Sequence, residues 1–125
     1  MRRVGLILLL GILAGCQTAE EYDAKINAEI DDRLNAYNGA TMAEFQARTG
    51  MLPDDAYPID GGRVFVFRTS PVFMTLPATN VTPAVTRSVH CQLLVQTVLA
   101  DRRGMANSWK IVGTQRSGAC RNLPV

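Results

Sequence analysis

The chain has 125 residues, 47% apolar and 19% charged, with a formal net charge of +2. That length leaves room for one small domain and little more, and a domain of this size buries a limited core and gains from a covalent staple. The small net charge conceals a division. Residues 17–60 carry ten acids against three bases, a local −7, while residues 61–125 carry eight bases against Asp101 alone, a local +7. Halves of opposite sign attract each other within one fold; a basic face meeting anionic lipid headgroups or an acidic partner is the other reading.

Arg2 and Arg3 precede a ten-residue apolar run from Val4 to Leu13, and Leu13-Ala14-Gly15-Cys16 closes it. A basic start, a short apolar stretch and small residues before a cleavage point form a secretory signal. A cysteine directly after the small pair makes that signal a lipobox. Residues 1–15 are therefore expected to be a lipoprotein signal peptide, 16–21 a lipidated tether and 22–125 a single domain. Cys16 would be the first mature residue, thioether-linked to diacylglycerol and acylated on its amine. A transmembrane anchor fails on length, because ten residues at about 1.5 Å each reach roughly half of a hydrocarbon core about 30 Å thick. Each buried methylene contributes about 0.8 kcal/mol and one myristoyl chain holds only marginally, so three acyl chains on one cysteine make a near-permanent tether. Gln17, where enteric-type sorting would need Asp for retention in the inner membrane, directs the protein to the outer membrane with its domain facing the periplasm. That compartment offers no nucleic acid.

Tyr22, Ile26, Ile30, Leu34 and Tyr37 recur at steps of four, four, four and three, one face of an amphipathic helix that Asn38-Gly39 ends. Thr41-Met42-Ala43-Glu44 is a capping box opening a second helix, with Met42 and Phe45 on its apolar edge. Gly50 stops that helix and Pro53 prevents its resumption. After the turn Asp60-Gly61-Gly62, Arg63 to Thr69 reads as a strand that is apolar on both faces, through Val64 and Val66 on one and Phe65 and Phe67 on the other. The next segment, about 70–87, carries Pro71, Pro77 and Pro83 without a clear period and reads as a long loop; loops of that length are functional or disordered. Ser88 to Ala100 reads as a second strand, with Cys91, Leu93 and Val95 on one face and His90, Gln92 and Gln96 on the other. A charged turn over Asp101 to Asn107 leads to a third strand from Ser108 to about Gln115. The expected fold class is thus α+β: two N-terminal helices packed on a three-stranded antiparallel sheet, with one long loop between its first two strands and one disulfide.

With Cys16 taken by lipid, Cys91 and Cys120 remain, an even number in an oxidising compartment, and a disulfide between them is the expectation. In an antiparallel hairpin turning near residues 104–107, position 91 falls opposite about position 120, within bridging distance. A metal site is not expected from two cysteines without a CxxC and a single histidine.

No catalytic constellation stands out. His90 has no carboxylate at helical or strand spacing, and it reads as a surface residue rather than a general base. Ser70, Ser88, Ser108 and Ser117 lie in no nucleophile motif. Asp31-Asp32 and Asp54-Asp55 are adjacent acids, whereas carboxylates that share a catalytic task converge from separate elements. Gly61-Gly62 is a turn rather than a phosphate loop. Trp109 reads as a sheet-face anchor near the disulfide. Neither a catalytic residue nor a cofactor is expected.

Leu34-Asn35-Ala36-Tyr37-Asn38-Gly39-Ala40-Thr41, Glu44-Phe45, Gly50-Met51-Leu52-Pro53 and Gly61-Gly62-Arg63-Val64-Phe65-Val66-Phe67 together resemble the signature of small bacterial lipoproteins of the SmpA/OmlA (BamE-like) type. Cys91, Trp109 and Gly118-Ala119-Cys120-Arg121 are similar to a set of uncharacterised proteobacterial lipoproteins that share that core and close the last two strands with a disulfide. The resemblance implies two helices on a three-stranded antiparallel sheet and an accessory role in outer-membrane assembly or integrity, with an envelope protein as partner. The functional expectation is a non-catalytic, lipid-anchored, protein-binding envelope protein. An anchored inhibitor or exclusion factor acting on an envelope-directed enzyme is the alternative. Phe73, Met74 and Leu76 are the candidate partner contacts, being apolar residues in a segment that must either cover itself or meet something else.

Overall fold

Two capping boxes set the helices. The computed structural model describes Gly15, Cys16 and residues 18–125; the remainder of the expected signal peptide, and Gln17, lie outside the described residues. Helix α1 spans Ala19–Asn35. The Thr18 hydroxyl accepts from the Glu21 amide at 3.2 Å, and the Glu21 carboxylate accepts from the Thr18 amide at 3.4 Å. The helix therefore starts inside the segment expected to be tether. Its buried residues are Ile30 and Leu34, with Ile26 and Tyr37 partly covered, while Tyr22 at the head of the stripe is exposed. Helix α2, Met42–Thr49, opens on the Thr41–Glu44 box and closes on Gly50, whose φ of 70° is the left-handed value that glycine adopts without steric cost.

Six strands follow, and the expected three-stranded sheet with a long loop is corrected. Strands β1 (Asp55–Ile59), β2 (Gly62–Arg68), β3 (Val72–Leu76), β4 (Val85–Val89), β5 (Cys91–Leu99) and β6 (Trp109–Gly118) form two sheets. One is four-stranded, in the order β1-β2-β5-β6, and the other is a two-stranded ribbon of β3 and β4. All pairings are antiparallel. β1 escapes a reading based on apolar alternation because it is short, mostly exposed and contains Pro58. Proline lacks a ladder donor and is confined to edge positions, which is where β1 lies. The segment 70–87 is not a loop: its prolines bracket the strands instead of interrupting them, Pro71 just before β3, Pro77 just after it and Pro83 two residues ahead of β4. The strand expected over 88–100 is in fact two, divided at His90.

The ribbon continues the central hairpin. β2 and β5 pair as far as Arg68↔Gln92, and the Thr69 amide then donates to the Cys91 carbonyl at 2.9 Å. Ser70 and Pro71 on one side face His90 alone on the other before pairing resumes at Val72↔Val89. Two residues against one is the count of a β-bulge, which bends the strand pair and strengthens its twist. Neither β1 nor β6 follows beyond this point, so the ribbon leaves the body of the domain with no strand beside it.

The helices cover one face of the four-stranded sheet. Ile30, Leu34, Met42 and Phe45 meet Phe67, Cys91, Leu93, Val95 and Ile111, with Cys120 and Leu123 closing the cluster. Thr97 is also buried, and its hydroxyl donates to the Arg63 carbonyl at 2.7 Å, so the polar atom costs little there. Leu99 pairs with Trp109 and Thr97 with Ile111, after which a bulge shifts the register and brings Cys91 opposite Gly118. The turn-centre estimate of a 91–120 pairing was therefore two residues off. At Gly118 φ is 81°, and an added Cβ would strike the His90 carbonyl. That glycine lets the chain turn back, and Cys120 forms the disulfide with Cys91 across a Cα–Cα distance of 4.7 Å.

The acidic and basic halves meet along α1. Arg116 on β6 grips Asp31 through Nε at 2.7 Å and through its terminal nitrogen at 3.0 Å, and also reaches Asn27. This hydrogen bonding holds the Asp31 carboxyl below its usual range and pushes Arg116 up. Since the folded pKa of Asp31 is depressed, its contribution is complete above the ordinary aspartate value near about 3.9 and is lost as pH falls through the lowered folded value. The Asp31 side chain is 53% exposed, so the pair stands on the scale of about 0.2–1 kcal/mol. Arg116→Ala should lie below wild type in melting temperature at neutral pH, the gap narrowing on acidification below about pH 4. Thermal melts of both proteins across pH 2–7 check this; a gap that stays constant would show that the carboxylate contributes nothing.

Candidate interaction surface

The ribbon has two unlike faces. In the observed register Val72, Met74 and Leu76 lie opposite Val89, Arg87 and Val85, and paired residues share a face. That face is five aliphatic or thioether side chains and one guanidinium. The other face holds Phe73 and Thr75 opposite Ser88 and Thr86, with the two threonine hydroxyls 3.0 Å apart. Val72 is 56% exposed, Met74 60%, Phe73 69% and Leu76 67%. At the tip, the Thr79 amide donates to the Thr82 carbonyl at 2.8 Å and their hydroxyls meet at 2.6 Å, leaving Val81 90% exposed. From Thr69 to Val89 the only formal charge is Arg87.

Such a surface is unusual on a small domain. Scattered exposed apolar side chains need no explanation, but a contiguous group on one face marks a contact site. A two-stranded ribbon is also marginal in water on its own. The three residues singled out from sequence, Phe73, Met74 and Leu76, all fall on β3, but the structure separates them: Met74 and Leu76 share the apolar face, and Phe73 points away from it. Val72 belongs with Met74 and Leu76, as do Val85 and Val89, which were missed. Their grouping depends on a cross-strand register displaced by the bulge, which no local pattern announces.

The remaining sequence candidates lie apart from this surface. Cys16 is exposed and takes no part in the disulfide. Cys91 and Cys120 are buried in the disulfide. His90 is exposed at the bulge. Asp31 is engaged by Arg116, and an Asp54 carboxylate oxygen accepts from the Arg68 amide. Asp101 accepts from the buried Ser108 hydroxyl and the Arg103 amide, which hold its carboxyl below the usual range and tie the turn before β6. Trp109 packs edge-on against Phe65 at 6.0 Å with the Arg63 guanidinium 5.5 Å from its ring centre. Among the described residues, no three His, Cys, Asp or Glu side chains converge as metal ligands would, and no helix is long and apolar enough to cross a membrane.

The tether and the ribbon leave the same end of the domain. Near the start of α1, Tyr22 lies under the Arg121 guanidinium at 5.1 Å, and Asp23 is 3.7 Å from it. Arg121 adjoins Cys120, which is bonded to Cys91, and the Ala119 amide donates to the His90 carbonyl at the ribbon's base. The other end of α1 is fixed at the opposite end of β6, where the Gly39 amide donates to the Ile111 carbonyl.

No protein-family model matches the chain, and no curated protein or solved structure matches it.

Proposed function

We propose that the protein is a non-catalytic, lipid-anchored accessory protein of the bacterial envelope, tethered through Cys16 with its domain at the periplasmic face of the outer membrane. It acts by contact rather than by chemistry. The observation that carries this reading is the ribbon: a charge-poor apolar face held out from a domain whose core is already complete without it. The lipobox around Cys16 supplies the address, and an α1 that begins only three residues after that cysteine supplies a short tether.

Cys16→Ala tests the anchor. Metabolic labelling with a fatty-acid analogue should mark the wild-type chain and leave the variant unlabelled, and membrane fractionation should show the variant lost from the outer membrane. Equal labelling of both proteins would sink the anchoring reading.

A further inference from the structure

The reach of the tether limits what the ribbon can touch. Three residues from Cys16 to Ala19 span at most about 11 Å when fully extended. A diacylglyceryl group on Cys16 holds that cysteine at the headgroup layer, so the start of α1 stays within that distance of it, and the end of the domain bearing Tyr22, Arg121 and the disulfide is the end held beside the membrane. The ribbon starts from this same end. Each of its strands has five residues, and five residues of strand extend about 17 Å, farther than the tether can hold the domain away.

We propose that the apolar face of the ribbon, formed by Val72, Met74, Leu76, Val85 and Val89, lies on the surface of the bilayer that holds the Cys16 lipid. The inference rests on the anchoring reading and names the surface that the ribbon meets. Its chemistry fits lipid on three counts. The face is apolar and belongs to a ribbon without a single acid, so nothing on it repels anionic headgroups. Its one charge, Arg87, stands opposite Met74 within that face, where a guanidinium can donate to headgroup phosphates while its neighbours enter the acyl boundary. The reverse face carries the hydroxyls of Thr75, Thr86 and Ser88, suited to water, with Phe73 as its one apolar side chain. A ribbon with five apolar side chains on one side and three hydroxyls beside one ring on the other lies with the first side to the interface. The domain is then held at two points, the lipid and the ribbon, and its orientation on the membrane is fixed rather than free to swing about a single tether.

The test uses the full lipidated chain in vesicles of phosphatidylethanolamine and phosphatidylglycerol, with mass spectrometry first reading the lipid on Cys16. Trp109→Phe removes the only tryptophan, and Leu76→Trp then places a reporter on the apolar face. Met105→Trp, in the turn at the opposite end of the sheet, is the reference. With brominated acyl chains, the Leu76→Trp emission should shift to the blue and fall about twofold, as a face seated about 5–10 Å into the headgroup boundary requires, while the Met105→Trp emission stays unchanged. Unquenched emission from Leu76→Trp on a lipid-bearing chain overturns the inference and leaves the anchor standing. A blue shift without quenching that grows with protein density also overturns it, and assigns the face to a second copy of the chain. A Cys16 without lipid overturns the anchoring reading itself, and this one with it.

Discussion

Replacing Cys91 or Cys120 with serine should cost about 2–5 kcal/mol of stability, and replacing both should cost no more than either alone. The bridge closes a segment of 29 residues, for which the chain-entropy model gives roughly 3–4 kcal/mol through restriction of the unfolded state. Its place in the fold adds a native-state role. Cys91 begins β5 at the base of the ribbon, and Cys120 lies just past the turn at Gly118 that ends β6. Both are buried, and the bridge holds the C-terminal segment so that Leu123 can pack into the core. Either single variant opens the same closed segment, so the second substitution has no further loop entropy to release. Urea midpoints of the four proteins, measured without reductant, check the ranking. A double variant clearly less stable than both singles would mean that each sulfur contributes separately through packing. Two free thiols in the denatured, unreduced wild type would remove the bridge altogether.

What the sequence shows and what it hides separate along physical lines. The helices are legible because each has a period set by burial and a start set by capping chemistry. The Thr18–Glu21 box has the same form as the one at Thr41, and reading those residues as tether overlooked it. β2 is legible because a central strand is apolar on both faces, and Val64, Val66 and Phe67 are all buried. The last hairpin was placed to within two residues: its turn lies closer to β5 than the charged segment suggests, with Leu99 opposite Trp109, and the bulge between Gln96 and Thr97 takes back one residue of that displacement. β1 and the ribbon were hidden for one shared reason. Alternation in a sequence records which side faces a core, and β1 and β3–β4 have little or no core beside them. The candidate surface was accordingly half legible: apolar residues without an obvious place to bury pointed to Phe73, Met74 and Leu76, while the register that assembles the face lies in long-range pairing.

The second large effect is expected at Phe45, where α2 meets the sheet. Its ring is fully buried, edge-on to Tyr37 at 5.0 Å and tilted against Phe67 at 5.2 Å. It therefore joins the turn after α1, helix α2 and the central strand β2 in a single contact group. Truncating a fully buried phenylalanine removes its transfer free energy and leaves a cavity that rigid neighbours fill only in part, a loss of about 3–5 kcal/mol. The two aromatic contacts lie within the centroid range in which such pairs add about 0.5–1.5 kcal/mol each beyond their buried area, which places Phe45→Ala towards the upper end. Phe73→Ala is the matched comparison: the same atoms removed from a ring 69% exposed on the ribbon, with an expected change within about 0.5 kcal/mol. Urea unfolding of both variants beside wild type measures the contrast directly. The ranking matters more than either value, because it separates the cluster that holds the fold from a ribbon that adds nothing to that core. Comparable losses from the two substitutions would place Phe73 in a packed core and contradict a ribbon that stands clear of the domain.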